Sequence, residues 1–111
     1  MKKVGDRVGA ILSSDGKRVN LFGYGVYAGE FIPPKDALGL CSLLHELKTE
    51  NPRIDLDNGK IIWGGECWWG PEEMIKKTIG DREVIKIDID ELRKEESNKT
   101  SPVAISGVLT E

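Results

Sequence analysis

Histidine occurs once and cysteine twice in these 111 residues. His45 lies one helical turn from Cys41 but far along the chain from Cys67, so the three cannot supply the four donors of a zinc site, and no metal is expected. Long apolar runs are missing too. Nothing approaches the roughly 18 consecutive apolar residues of a membrane-spanning helix, and the two lysines of "MKKVGDRVG" are not followed by the apolar segment of a signal peptide. These absences lead us to expect a cytoplasmic protein without a membrane partner, whose two cysteines are reduced thiols packed as small apolar side chains.

Charge of one sign is not concentrated either. The 16 Lys and Arg and 19 Asp and Glu leave a net charge of −3, and the two signs are interspersed. Duplex nucleic acid is thereby excluded as an expected partner, because binding it requires clustered cations to displace counterions. A nucleic-acid mimic is equally disfavoured, since that role needs a long acidic surface.

The chain has the length of one domain able to bury a core without disulfides. "VGDRVGAILSS" and "KRVNLFGYGVY" flank Asp15-Gly16 and predict a hairpin of residues 4–14 and 17–28 with a left-handed glycine turn. In the second strand Gly23 and Gly25 share a face, leaving bare backbone that either bends the sheet or admits a close neighbour. Pro33-Pro34 ends this strand. Leu40, Leu43, Leu44 and Leu47 then follow the spacing of one apolar helix stripe, with Cys41 at its border and His45 turned to solvent.

A second hairpin is expected from "RIDL" and "KIIWGGECWW" around Asp57-Asn58-Gly59. Gly70-Pro71 changes the period: Pro71, Glu72 and Glu73 start a helix, Ile75 and Ile79 give it an apolar side, and Gly80 stops it. "EVIKIDID" alternates as a strand with one wet face. The expected fold is α+β: a strongly bent antiparallel sheet of about five strands, in the manner of an SH3-like open barrel, with two short helices. Residues 1–90 form the globular domain, 91–101 a helical turn fraying into a polar linker, and 102–111 a final strand or a docking segment.

All seven aromatic residues fall in two windows, Phe22 to Phe31 and Trp63 to Trp69, which also hold Gly23, Gly25, Gly29, Gly64 and Gly65. If the windows converge, Tyr24, Tyr27, Trp63, Trp68 and Trp69 would surround a glycine-lined pocket for a planar or nucleotide-like ligand. Glu66 would add the acid of an aromatic cage, and Arg53 or Lys60 would offset ligand charge. The bland alternative is core packing, although Trp68 and Trp69, adjacent in a strand, must point to opposite faces. "WWGPEE" is a poor phosphate cradle because Glu66, Glu72 and Glu73 repel anions, and "GYGVYAG" lacks the strand–turn–helix order of a dinucleotide fingerprint. Cys67 is the one nucleophile candidate; with acids beside it and no base within reach, no catalytic residue is assigned. No cofactor is expected.

"FGYGVYAGEFIPP" and "NPRIDLDNGKIIWGGECWWGPEE" resemble small bacterial and phage-encoded proteins of uncharacterised function, over roughly residues 4–90. That resemblance implies a cytoplasmic setting and a capture role, toward a small ligand or a host protein, but no activity. The expected function is therefore non-catalytic ligand binding in the glycine-aromatic pocket. Its alternative is a protein-interaction or homo-oligomerising domain using the same Trp and Tyr surface.

Overall fold

The computed structural model describes residues 3–102. Two long strands, β1 (Arg7–Ser14) and β2 (Arg18–Phe31), are followed by helix α1 (Leu40–Glu46), then by the short strands β3 (Asn51–Leu56) and β4 (Ile61–Trp63). A 3-10 turn (Gly64–Glu66) leads into β5 (Trp68–Pro71), α2 (Glu72–Ile79), β6 (Glu83–Lys86) and α3 (Ile89–Pro102). The order across the sheet is β4-β3-β2-β1-β5, antiparallel throughout this path. The 3-10 turn joins the two outer strands, so the sheet wraps on itself without closing, as expected for an α+β open barrel.

The bend has local causes. Pairing of β1 with β2 slips between Ala10 and Ser13, and pairing of β2 with β3 slips between Tyr27 and Gly29. Extra residues at such bulges increase local twist. Gly23 adds a second device, since its φ of +142° is strained for any side chain.

The hairpin turn forms where expected but by other chemistry. Gly16 is not left-handed; instead the Asp15 carboxylate accepts the N–H groups of Lys17 and Arg18, each at 2.8 Å. Gly59, at φ +90°, does make the left-handed turn of the second hairpin.

Three departures matter for the site. The segment expected as one strand, "KIIWGGECWW", is split by the 3-10 turn, so Trp63 and Trp68 belong to different strands. The alternating run 83–90 is a strand only as far as Lys86, pairs parallel to β2, and passes Ile89 to a third helix. That helix includes the expected linker 91–101, and Leu92 and Arg93 on its first turn face the domain. The expected C-terminal segment beyond Pro102 lies outside the described residues.

The core has three parts. Val8, Ala10, Phe22, Ile54, Leu56 and Ile62 form the main cluster, which α3 covers with Ile89. Ile11, Val19 and Leu21 pack under Ile75 and Ile79 of α2. Each fully buried aliphatic side chain here contributes about 1.5–3 kcal/mol. Ala37 and Cys41 pack on Trp63.

Helix α1 is turned opposite to its leucine stripe. Leu40, Leu43 and Leu47 are 70%, 50% and 62% exposed, while Cys41 is buried and His45 Nδ1 lies 2.9 Å from the Pro33 carbonyl oxygen. The helix sits close over Gly65, where only a small side chain such as cysteine fits, and this contact outweighs the apolar stripe.

Arg7 ties the sheet to α2. Its guanidinium donates to Asp57 Oδ2 at 2.7 Å and to Glu72 Oε1 at 2.8 Å, and Lys76 reaches Glu72 Oε2 at 2.8 Å. Hydrogen bonds from Arg7 hold the Asp57 carboxyl below its ordinary range; those from Lys76 and then Arg7 do the same for Glu72. Carboxyls depressed in the folded state contribute stability that is present above their unfolded pKa, about 4, and is lost as pH falls through the folded values. Urea midpoints should therefore hold from about pH 7 to pH 5 and fall below about pH 4. Arg7→Met should flatten part of that fall; parallel pH curves for the two proteins would show that the cluster contributes nothing.

Candidate functional site

The buried centre of the region is Glu66. Its side chain is wholly buried and accepts four hydrogen bonds: from the backbone N–H of Trp63 (2.9 Å) and of Leu38 (2.8 Å), and from Arg93 Nε (2.9 Å) and Nη2 (2.6 Å). Arg93 Nη2 also donates to the Ile61 carbonyl at 3.1 Å. Ile61 and Trp63 flank Ile62 on β4, so their polar groups face the same way, away from β3. The Glu66–Arg93 pair thus occupies the hydrogen-bonding edge of β4 that another strand would otherwise take. Glu66 was expected to face a ligand; its bonding is instead spent inside the fold.

The two glycines before it allow this packing. A Cβ on Gly64 would lie 2.9 Å from Trp69 Nε1, and one on Gly65 would lie 2.7 Å from Cys41 Sγ. The Gly65 N–H donates to Asn51 Oδ1 at 2.9 Å. Both glycines sit where chain packs directly on chain.

The two aromatic windows do meet, at one pair. Tyr27 stacks on Trp69 with ring centroids 5.7 Å apart and planes 12° from parallel. The Tyr27 hydroxyl donates to Glu30, and the ring is buried. Trp63 is buried against Ala37 and Cys41. Tyr24 lies elsewhere, half-buried beside α2 with Lys76 Nζ 5.5 Å above its ring. Arg53 pairs with Asp55 at 2.8 Å and covers the Phe31 ring at 5.4 Å, while Lys60 holds Asp88 at 2.8 Å. Arg53 is also the cross-strand partner of Trp63.

Trp68 is the exception. It is 74% exposed at the start of β5, where it pairs with Ile11 of β1. Two hollows flank it, of about 320 and 390 Å³: one lined by Leu12 and Gly65–Cys67, the other by Ile11–Ser14. Leu12 also lines a third and larger cleft of about 1170 Å³, between the loop at Lys35–Gly39 and the first turns of α3. Its apolar lining is Leu12, Ala37, Leu38 and Leu92, and Lys35 and Lys94 stand on opposite sides. A continuous surface therefore runs from Trp68 over Leu12 into the cleft. Both walls are fastened to Glu66, one through the Leu38 N–H and the other through Arg93.

Alternation in "CWWG" puts Trp68 and Trp69 on opposite faces but leaves open which of them, if either, is exposed. The cleft walls were not legible, because one is a loop and the other a segment whose composition reads as linker. Burial pushes both thiols up, Cys41 to about 11 and Cys67 to about 12, with Glu66 adding to the shift of each. Among the described residues no group of three His, Cys, Asp or Glu is placed to hold a metal ion, and no helix is long and apolar enough to cross a membrane.

Compared with known proteins, the chain finds no matching family model, curated protein or solved structure.

Proposed function

We propose that this protein is a non-catalytic interaction domain that holds a polypeptide segment along the surface from Trp68 over Leu12. The observation that carries this reading is the 74% exposure of Trp68 beside Leu12, which lines both flanking hollows and the larger cleft. A tryptophan left in water is the residue type that most often dominates binding energy at an interface. The adjoining cleft has an apolar floor and charged walls, and at about 1170 Å³ it is larger than a compact ligand needs.

Trp68→Ala should leave the thermal midpoint within about 2 °C of wild type, because a side chain 74% exposed contributes little to folding. The same change should weaken peptides selected on the wild-type protein from a random display library by roughly 30-fold or more. Peptides that bind the variant equally well would remove the proposal's support.

A planar ligand stacked on Trp68 is the second reading, favoured by the size of the two flanking hollows, about 320 and 390 Å³. It takes Trp68 from the expected site and leaves out Tyr27 and Trp63. A small mass released when wild-type protein is denatured, and missing from Trp68→Ala, would favour it.

A further inference from the structure

Beside Trp68 the sheet has an open edge. β1 pairs with β2 as far as Ser14, but its pairing with β5 ends at Ile11 and Trp68. Beyond that point the chain leaves through Cys67 into the 3-10 turn, so among the described residues Leu12, Ser13 and Ser14 have a strand on one side only. The hollow lined by Ile11–Ser14 and Trp68 lies along this stretch.

The two outer edges are treated differently. On β4 the outward polar groups are taken by Glu66 and Arg93. On β1 the open run is Leu-Ser-Ser, with none of the lysine or proline that ordinarily discourages strand pairing. Leu12 also takes up the bulge against β2, which turns the end of the strand relative to the rest.

Charge on the neighbouring cleft indicates what would lie there. Lys35 and Lys94 face it from either side, and among the described residues neither is in an ion pair. Of the cleft's acids, Asp90 is held by Lys60 and Arg93 and Glu96 has a partner of its own, while Asp36, next to Lys35, is in no ion pair among the described residues.

Resting on the interaction reading above, we infer that the partner is an extended peptide that adds as a strand to β1 at Leu12–Ser14. It lays an apolar side chain against Trp68 and Leu12 and carries an acidic residue to Lys35 or Lys94. Main-chain pairing supplies affinity, and the side chains supply selectivity.

The test uses the full chain and a phage-displayed library of random decapeptides, followed by synthetic copies of the enriched sequences. The expected consensus joins an apolar residue to an acidic one. N-methylation of the peptide at alternate positions should weaken binding about tenfold, with the intervening positions unaffected, because only every second N–H of an added strand faces β1. Hydrogen exchange of the Ser14 amide, which faces away from β2, should slow in the complex. Replacing Lys35 and Lys94 together by alanine should weaken the acidic peptide and leave its Asp→Asn analogue unchanged. If Trp68→Ala abolishes binding but N-methylation is tolerated everywhere, the groove reading stands and strand addition is overturned. A library that yields no Trp68-dependent binder overturns both.

Discussion

Glu66→Gln should destabilise the protein by about 3–5 kcal/mol and lower the thermal midpoint by roughly 10–20 °C. Four donors converge on this one carboxylate, and its side chain has no access to water. Glutamine keeps the volume but replaces one acceptor oxygen with an NH2 group that faces donors. The Arg93 guanidinium, 16% exposed, then loses its buried counter-charge and keeps only the exposed Asp90 at 3.4 Å. Breaking one side of a buried pair is costly because an uncompensated charge remains in a poorly solvated place.

The same argument predicts non-additivity. Arg93→Met also costs stability, since it leaves Glu66 with only two backbone donors. Combining it with Glu66→Gln removes both charges, so the double variant should lose clearly less than the sum of the single losses. Urea denaturation of the four proteins measures this directly. A loss below about 1 kcal/mol for Glu66→Gln would mean that the carboxylate does not hold the loop and α3 together. Both walls of the cleft depend on it, so the Glu66 variant should also weaken peptide binding at temperatures where it remains folded.

The second large effect is expected at Gly25. An added Cβ there would collide with the Asp55 carbonyl oxygen and lie 2.7 Å from Leu56 Cα, both in β3. Backbone in the middle of a sheet cannot step aside as a side-chain tip can, so Gly25→Ala forces β2 and β3 apart. A loss of about 3 kcal/mol or more is expected, enough to leave much of the protein unfolded if its stability is ordinary. Gly70→Ala is the control, because a Cβ at Gly70 meets nothing within 4 Å. It should change stability by no more than about 0.5 kcal/mol. Equal thermal midpoints for the two variants would contradict the role given to the β2–β3 contact.

This contact answers the alternatives left by the sequence at Gly23 and Gly25. Alternation correctly put the two glycines on one side of β2 and limited their purpose to a bend or a close approach. Both occur: Gly23 bends the strand, and the neighbour that approaches Gly25 is β3 itself. Composition can show that backbone is bare but cannot show which segment of the chain will use it.

The helices show the same division. α2 forms within the bounds marked by Pro71 and Gly80, with Ile75 and Ile79 buried, because its signals are local ones: first-turn acids, an i, i+4 pair and a glycine stop. For α1 the periodicity was visible but its sense was reversed. Seven residues bury too little to set a helix's orientation, and the fit of Cys41 over Gly65 decided it. α3 was legible only as polar sequence, since its attachment rests on Ile89, Leu92 and one arginine whose partner lies 27 positions away.

The sequence by itself determined the fold class, both hairpins, the shortage of metal donors and the opposite facing of Trp68 and Trp69. Each follows from spacing over a few residues, where backbone geometry leaves little choice. Tertiary structure alone decided that Tyr27 stacks on Trp69, that Glu66 joins α3 to a distant loop, and that among the described residues β1 ends with a free edge beside Trp68. Those outcomes depend on contacts between residues far apart in the chain, whose partners are chosen by how the whole sheet bends.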